Sequence, residues 1–177
     1  MINSSINNLA KISIIGHPAV GKTTILKLLS EKVIDKIYLP TQGFDLTNVE
    51  FGNYRLRIWD FGGQKIYMNT YLSSYLLGSD IVLIVTDSTL KNVNSSRPLI
   101  DVAEKITDKE CPIIAIANKQ DLYERNHDRL NVEKIKDILD VKTYGLIAID
   151  PTNRIKLMNI IKDELNKVLT RKEVNLN

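Results

Sequence analysis

The chain of 177 residues is long enough for one domain with a sizeable core, and its 44% hydrophobic and 25% charged residues are an ordinary globular balance. A net charge of +3 without a Lys/Arg block argues against a nucleic-acid binder and leaves only weak attraction to an anionic membrane surface. The single cysteine, Cys111, excludes an internal disulfide and suits a reducing, intracellular setting, and no apolar run approaches the roughly 18 residues of a membrane span.

Residues 1–10 lack the basic region and apolar stretch of a secretory signal. Ile2, Ile6 and Leu9 follow i, i+4, i+7 spacing, compatible with a short amphipathic helix, and two outcomes are open: a helix or frayed tail resting on the domain, or, since the apolar face is small, weak and reversible membrane contact. Ile2 stands where N-myristoylation needs glycine. A single domain is expected over 11–170, and a short tail over 171–177 ends without a prenylation box.

Within the domain, strand-like and helix-like segments alternate. Lys11–Ile15 reads as a strand and Lys22–Ser30 as a helix. Asp45–Phe51 and Tyr54–Asp60 read as strands joined by Gly52-Asn53, a two-residue hairpin signal. Ile66–Leu77 is helical in pattern. Asp80–Thr86 and Pro112–Ala117 are continuous apolar runs of the kind that buried parallel strands require, and the second marks Cys111 as a buried core thiol. Ser95–Thr107 and Val132–Leu139 read as helices and Thr143–Ile149 as a last strand. Thr152–Leu169 is a long helix with Ile155, Met158, Ile161, Leu165 and Val168 on one face. The expected fold is α/β in three layers: a mostly parallel six-stranded sheet, one antiparallel edge strand and about five helices. Ligands of such sheets bind at the carboxyl ends of the strands.

The motifs fall at those ends. Gly16-His17-Pro18-Ala19-Val20-Gly21-Lys22-Thr23 matches GxxxxGK[ST], between a strand and a helix as a P-loop requires. Backbone N–H groups of Ala19, Val20, Gly21, Lys22, Thr23 and Thr24 are positioned to face phosphates, Lys22 to reach the β- and γ-phosphates, and Thr23 to bind magnesium through its hydroxyl. Asn118-Lys119-Gln120-Asp121 follows a strand directly and matches NKxD. Guanine offers N1–H and a 2-amino group as paired donors, and the Asp121 carboxylate accepts both; adenine lacks that pair and would leave the carboxylate unmatched. The Lys119 stem covers one face of the base and Asn118 braces the loop. Ala148, in Ile147-Ala148-Ile149, is the candidate backbone N–H for guanine O6. Asp60-Phe61-Gly62-Gly63-Gln64 ends a strand: Asp60 is a magnesium candidate, the Gly63 N–H a γ-phosphate donor, and Gln64 the residue that orients water. Thr41 is the candidate for a second magnesium-binding hydroxyl in the triphosphate state.

These segments, GHPAVGKT, PTQGF, WDFGGQ and NKQD, resemble the Ras superfamily and, within it, the Arf-like branch. The 19 positions from Thr41 to Asp60, Trp59-Asp60 and the double glycine Gly62-Gly63 are Arf-like, and the resemblance covers about 11–168. It implies a P-loop NTPase fold, GTP or GDP with Mg2+, GTP hydrolysis with Gln64 and Lys22 as catalytic residues, and an exchange factor and a GTPase-activating protein as partners. It also implies a switch face for effectors carrying Phe44, Trp59 and Tyr75, for which a core role is equally open. The Arf-like N-terminal helix is a nucleotide-controlled membrane anchor, so the expected place is cytoplasmic, with peripheral membrane contact in the GTP state. Two departures bear on catalysis. Pro18 lacks an N–H near where γ-phosphate and Gln64 should meet, and no arginine lies between Thr24 and Thr41 to act as a finger in cis. Intrinsic turnover is then expected to be slow, on the order of 10⁻⁴ to 10⁻³ per second. The alternative is a nucleotide-locked binding scaffold with little hydrolysis. A P-loop kinase would need an arginine-rich lid that the chain lacks, and would have no use for NKQD.

Overall fold

In the computed structural model, residues 8–34, 40–63, 65–123, 125 and 128–174 are described, with the side chains of 65–70 and 169–174 left aside. Six strands lie in the order β2-β3-β1-β4-β5-β6. β1 (Asn8–Gly16) is followed by α1 (Lys22–Leu29), β2 (Phe44–Phe51), β3 (Tyr54–Phe61), α2 (Lys65–Leu76), β4 (Ile81–Thr86), α3 (Leu90–Ile106), β5 (Ile113–Ala117), a 3-10 turn at Gln120–Leu122, α4 (Val132–Leu139), β6 (Lys142–Gly145) and α5 (Asn153–Val174). β2 and β3 pair antiparallel through Phe51↔Tyr54, so Gly52-Asn53 is the two-residue turn, and Gly52 has the positive φ of 59° that such a turn demands. Among the described residues the other pairings between these strands are parallel, as the alternation of elements anticipated.

Side-chain alternation splits the core into two layers. Ala10, Ile12 and Ile14 of β1 and Ile81, Leu83 and Val85 of β4 pack under α1 and α5. Ile15, Val82 and Ile84 face the other way, with Leu72 and Leu76 of α2, Val93 and Ile100 of α3, and Ile135 and Leu139 of α4. Every residue of β4 is buried, which is why it reads as an unbroken apolar run, whereas β2 at the sheet edge buries only Thr47 and Val49.

The boundaries that differ do so for local reasons. β1 starts at Asn8 rather than Lys11, because Asn8 to Ala10 pair with Tyr54 to Leu56. Leu9, expected on an apolar helix face, therefore lies on a strand and is 58% exposed; the rest of the expected N-terminal helix, with Ile2 and Ile6, lies outside the described residues. α3 begins at Leu90 instead of Ser95, because the Thr89 hydroxyl accepts the Asn92 N–H and caps it. β6 ends at Gly145 rather than Ile149: the Leu146 N–H bonds the Ala117 carbonyl and the chain then turns out of the sheet, which leaves Ile149 64% exposed. The buried face of α5 is carried by Leu157, Met158, Ile161, Leu165 and Val168, while Ile155 is exposed. Cys111, expected to be buried, is only half-buried, in the turn ahead of β5.

Candidate functional site

The P-loop occupies the turn from β1 into α1. Three of its residues have positive φ, Gly16 at 154°, Ala19 at 62° and Gly21 at 105°, and the last two lie on a backbone path that curls successive N–H groups inward and builds an anion cradle at the helix N-terminus. Glycine is required at position 21 twice over: for that φ, and because a Cβ would lie 2.2 Å from Asn118 Nδ2. Lys22 is buried and its ammonium donates to the His17 carbonyl at 2.7 Å. Burial pulls its pKa down to about 8, against the opposing pull of Asp60. Val20 faces the core; Ala19 is exposed at the loop's tip, and Thr24 is half-buried on α1.

Three segments far apart in sequence bring the expected metal-binding oxygens to one point. The Thr23 hydroxyl of α1 donates to Asp60 Oδ2 at the end of β3, at 2.5 Å, and lies 2.9 Å from the hydroxyl of Thr41, which precedes β2. Asp60 is fully buried, and its other oxygen, Oδ1, has no hydrogen-bond partner. Burial raises its pKa to about 6, although the Thr23 bond and the Lys22 charge pull the other way. One carboxylate and two hydroxyls, with an orphaned carboxylate oxygen among them, match a hard divalent cation that shares its remaining positions with phosphate and water. Among the described residues no cluster of three or more His, Cys, Asp or Glu forms an all-protein metal cage.

Gly63 is pressed against the P-loop: a Cβ there would lie 2.5 Å from both the His17 carbonyl carbon and the Pro18 nitrogen. The Gly62 N–H meanwhile bonds the Gly43 carbonyl at 2.8 Å, tying the end of β3 to the segment that carries Thr41. Gln64, the expected water-orienting residue, lies outside the described residues.

On the base side, Asn118 joins three loops. Its Nδ2 donates to the Val20 carbonyl of the P-loop, and its Oδ1 accepts the Ala148 N–H, each at 3.0 Å. The Ala148 N–H expected to meet the base is thus engaged with Asn118, which fixes the loop after β6 against the one after β5. Lys119, with φ 62°, reaches over the P-loop and donates to the Ala19 carbonyl at 2.8 Å. Burial lowers its pKa, with Asp87 and Asp121 favouring the charged form. Asp121 sits half-buried in the 3-10 turn.

The aromatic triad is a real cluster. Phe44 lies 5.2 Å from Trp59 and 4.9 Å from Tyr75 between ring centroids, and Trp59 lies 5.8 Å from Tyr75. Trp59 and Tyr75 pack partly against the core, whereas Phe44 is 42% exposed, so a core role holds for two of the three and Phe44 offers its ring to solvent.

Three contacts had no motif to announce them: the His17 ring N–H to the Ser95 carbonyl at 2.9 Å, the Ser88 hydroxyl to the Asn118 carbonyl, and the Gln120 amide to Ser88. His17 is thereby half-buried and tied to α3.

A model of the ADP-ribosylation factor family matches residues 2–171. The chain belongs to that family. It is 38% identical over 134 residues to ADP-ribosylation factor-like protein 3 of Chlamydomonas reinhardtii, covering 75% of this chain and 72% of that one. It is 30% identical over 173 residues to ADP-ribosylation factor-like protein 2 of Drosophila melanogaster, covering 90% of each. The ADP-ribosylation factor-like protein 3 of Caenorhabditis elegans is 33% identical over 136 residues. The chain is a small GTPase of the Arf-like branch, a switch that binds guanine nucleotide and hydrolyses GTP to GDP and phosphate. Among the described residues of this Arf-like GTPase, no helix is long and apolar enough to cross a membrane.

Proposed function

We propose that this Arf-like GTPase is a cycling switch with slow intrinsic turnover, and that its nucleotide state is read through the segments carrying Thr41 and Gly62–Gln64. The observation that carries the reading is the meeting of Thr23, Thr41 and Asp60, because it ties both of those segments to the P-loop through one oxygen cluster. Thr23, Thr41 and Asp60 would hold Mg2+, and the ion would neutralise charge on the β- and γ-phosphates. The chain's own groups do the rest. The N–H groups of Ala19 to Thr24 bind phosphate oxygens; Lys22, freed from the His17 carbonyl, spans the β- and γ-phosphates; Gln64 orients water for in-line attack. Asp121 takes the paired donors of guanine while Lys119 covers its face and Asn118 holds both loops.

Loss of the γ-phosphate removes a ligand shared by these segments, so Thr41 and Gly63 are released together, an order change biased by one phosphate. The face made by Phe44, Trp59 and Tyr75 then presents differently to effectors. An exchange factor and an activating protein complete the cycle, the second because no arginine between Thr24 and Thr41 supplies a finger in cis. Weak, reversible membrane contact by the N-terminal segment in the GTP state belongs to the same reading. It rests on Ile2 and Ile6, and GTP-dependent pelleting with liposomes tests it.

A locked scaffold is the second reading, favoured by one observation. Pro18 has no N–H, and its nitrogen sits where a Gly63 Cβ would come within 2.5 Å, so the space beside it is tight. Single-turnover hydrolysis of bound GTP, run beside Gln64→Leu, separates the two. Slow turnover that the variant abolishes supports the switch; GTP intact after hours in both proteins supports the scaffold.

A further inference from the structure

Ser88 lies two residues after β4 and belongs to none of the nucleotide-binding motifs, yet it is fully buried with a left-handed backbone, φ 69°. A non-glycine residue held there costs roughly 1 kcal/mol and persists where its surroundings fix it. A set of hydrogen bonds fixes it. The Ser88 hydroxyl lies 2.7 Å from the Asn118 carbonyl and 2.7 Å from Gln120 Nε2. Gln120 Nε2 also reaches the Leu130 carbonyl at 3.2 Å, and the Ser88 carbonyl accepts the Leu130 N–H at 2.8 Å.

Chemistry fixes the direction of this chain of bonds. A carbonyl only accepts, so the Ser88 O–H points at Asn118, and the Ser88 oxygen must then accept from Gln120. The Leu130 carbonyl likewise faces the NH2 end of the Gln120 amide. Asn118 and Gln120 flank Lys119, the second left-handed residue of the pair, so one hydroxyl grips the backbone before that turn and the side chain after it. The turn sets where Lys119 points and where Asp121, one residue further on, presents its carboxylate.

We infer that Ser88 is a positioning residue for guanine selectivity, acting through Asn118 and Gln120 to hold the Lys119–Asp121 turn in register with the base. The inference rests on the guanine-site reading of Asp121. Losing the hydroxyl leaves the buried Asn118 carbonyl without its donor and frees Gln120, so the turn relaxes and the Asp121 carboxylate no longer meets both guanine donors. Ser88 reaches the phosphate cradle only indirectly, through the Asn118 and Lys119 bonds to the Val20 and Ala19 carbonyls, so the larger share of the loss falls on the base.

The test compares GDP, IDP and ADP in competition against labelled GDP, at fixed magnesium, for the wild type, Ser88→Ala, Ser88→Gly and Gln120→Ala. IDP lacks only the 2-amino group. Ser88→Gly removes the hydroxyl while easing the backbone, and Gln120→Ala breaks the clamp at its half-buried end, so the question stays answerable if Ser88→Ala does not fold. The expected result is a preference for GDP over IDP and ADP that shrinks about tenfold in the Ser88 variants and severalfold in Gln120→Ala. A merely structural role would weaken all three nucleotides alike, and unchanged ratios in Ser88→Gly and Gln120→Ala overturn the inference. A wild type that binds the three diphosphates equally overturns the guanine-site reading and the inference with it; a selective wild type whose variants stay selective overturns the inference alone.

Discussion

Gly43 and Gly63 sit on neighbouring segments and ask for glycine on opposite grounds. Gly43 has φ 78° and open space where a Cβ would go, so Gly43→Ala costs only backbone strain, about 1 kcal/mol. Gly63 has no unusual φ, but a Cβ would strike backbone atoms of His17, Pro18 and Gly16 within 2.6 Å. Backbone does not yield as a flexible side chain does, so Gly63→Ala must push β3's end off the P-loop. The expected loss is roughly 1–3 kcal/mol by urea unfolding, together with weakened GTP binding. Gly43→Ala should leave GTP binding within a few-fold of the wild type; equal losses of affinity in the two variants would mean that the P-loop contact carries no function. At this scale the motif glycines were legible from their strings alone. The reason for Gly63 was not, because the atoms it avoids come from residues more than forty positions earlier.

At the scale of elements, β6 and α5 are held together by a buried carboxylate. Glu164 of α5 is 3% exposed; both its oxygens accept from Lys142 of β6 at 2.9 Å, and one also accepts from Lys167 at 2.8 Å. Burial alone would push this carboxyl up, but the bonds from Lys167 and Lys142 outweigh it and hold it below the usual range. A carboxylate whose folded pKa is depressed contributes stability above its unfolded pKa and loses that contribution as pH falls through the folded value. Urea unfolding of the wild type should therefore show an acid limb beginning below about pH 4.5. Glu164→Gln should lack this part of the limb and lie lower at pH 7 by about 1 kcal/mol, the small size reflecting lysines that remain half in water. Identical pH profiles would remove Glu164 from the account.

The elements themselves were read well where periodicity was strong. β4, β5 and α4 fall within a residue of their apolar patterns, because burial dictates both. The ends went astray where a polar contact decides: the Thr89 cap moved the start of α3 back to Leu90, and pairing with β3 drew Asn8 to Ala10 into β1. Ser88 and the clamping role of Gln120 are illegible in the sequence for the same reason. A serine and a glutamine at strand ends have no pattern of their own, and only the fold reveals that they meet.

For the molecule as a whole, the buried Asp60 makes nucleotide and cation parts of its stability. Its orphaned Oδ1 and raised pKa mark a charge that the protein alone leaves under-compensated. Adding a magnesium chelator to the GDP-loaded protein should speed GDP release at least about tenfold, read with a fluorescent GDP analogue. Stripping the nucleotide should lower the unfolding midpoint in proportion to the logarithm of ligand over Kd. Asp60→Ala should make release insensitive to the chelator; a variant that still responds would place the cation elsewhere.

Trp59 is the chain's one tryptophan, immediately before Asp60, with its indole leaning on Phe44 and Tyr75 and the Lys11 ammonium 5.2 Å from its ring centre. Emission excited at the red edge of the aromatic band, where the chain's tyrosines hardly absorb, therefore originates at a single ring, bracketed by the strand on one side and helix α2 on the other. A sliding of either against the other alters the charge and the aromatic neighbours that the excited indole senses. Exchange of GDP for a non-hydrolysable GTP analogue should shift both intensity and wavelength of that emission, giving a label-free clock for loading and turnover. An emission trace that stays flat while the analogue binds would show that β3 and α2 move as one body, or not at all.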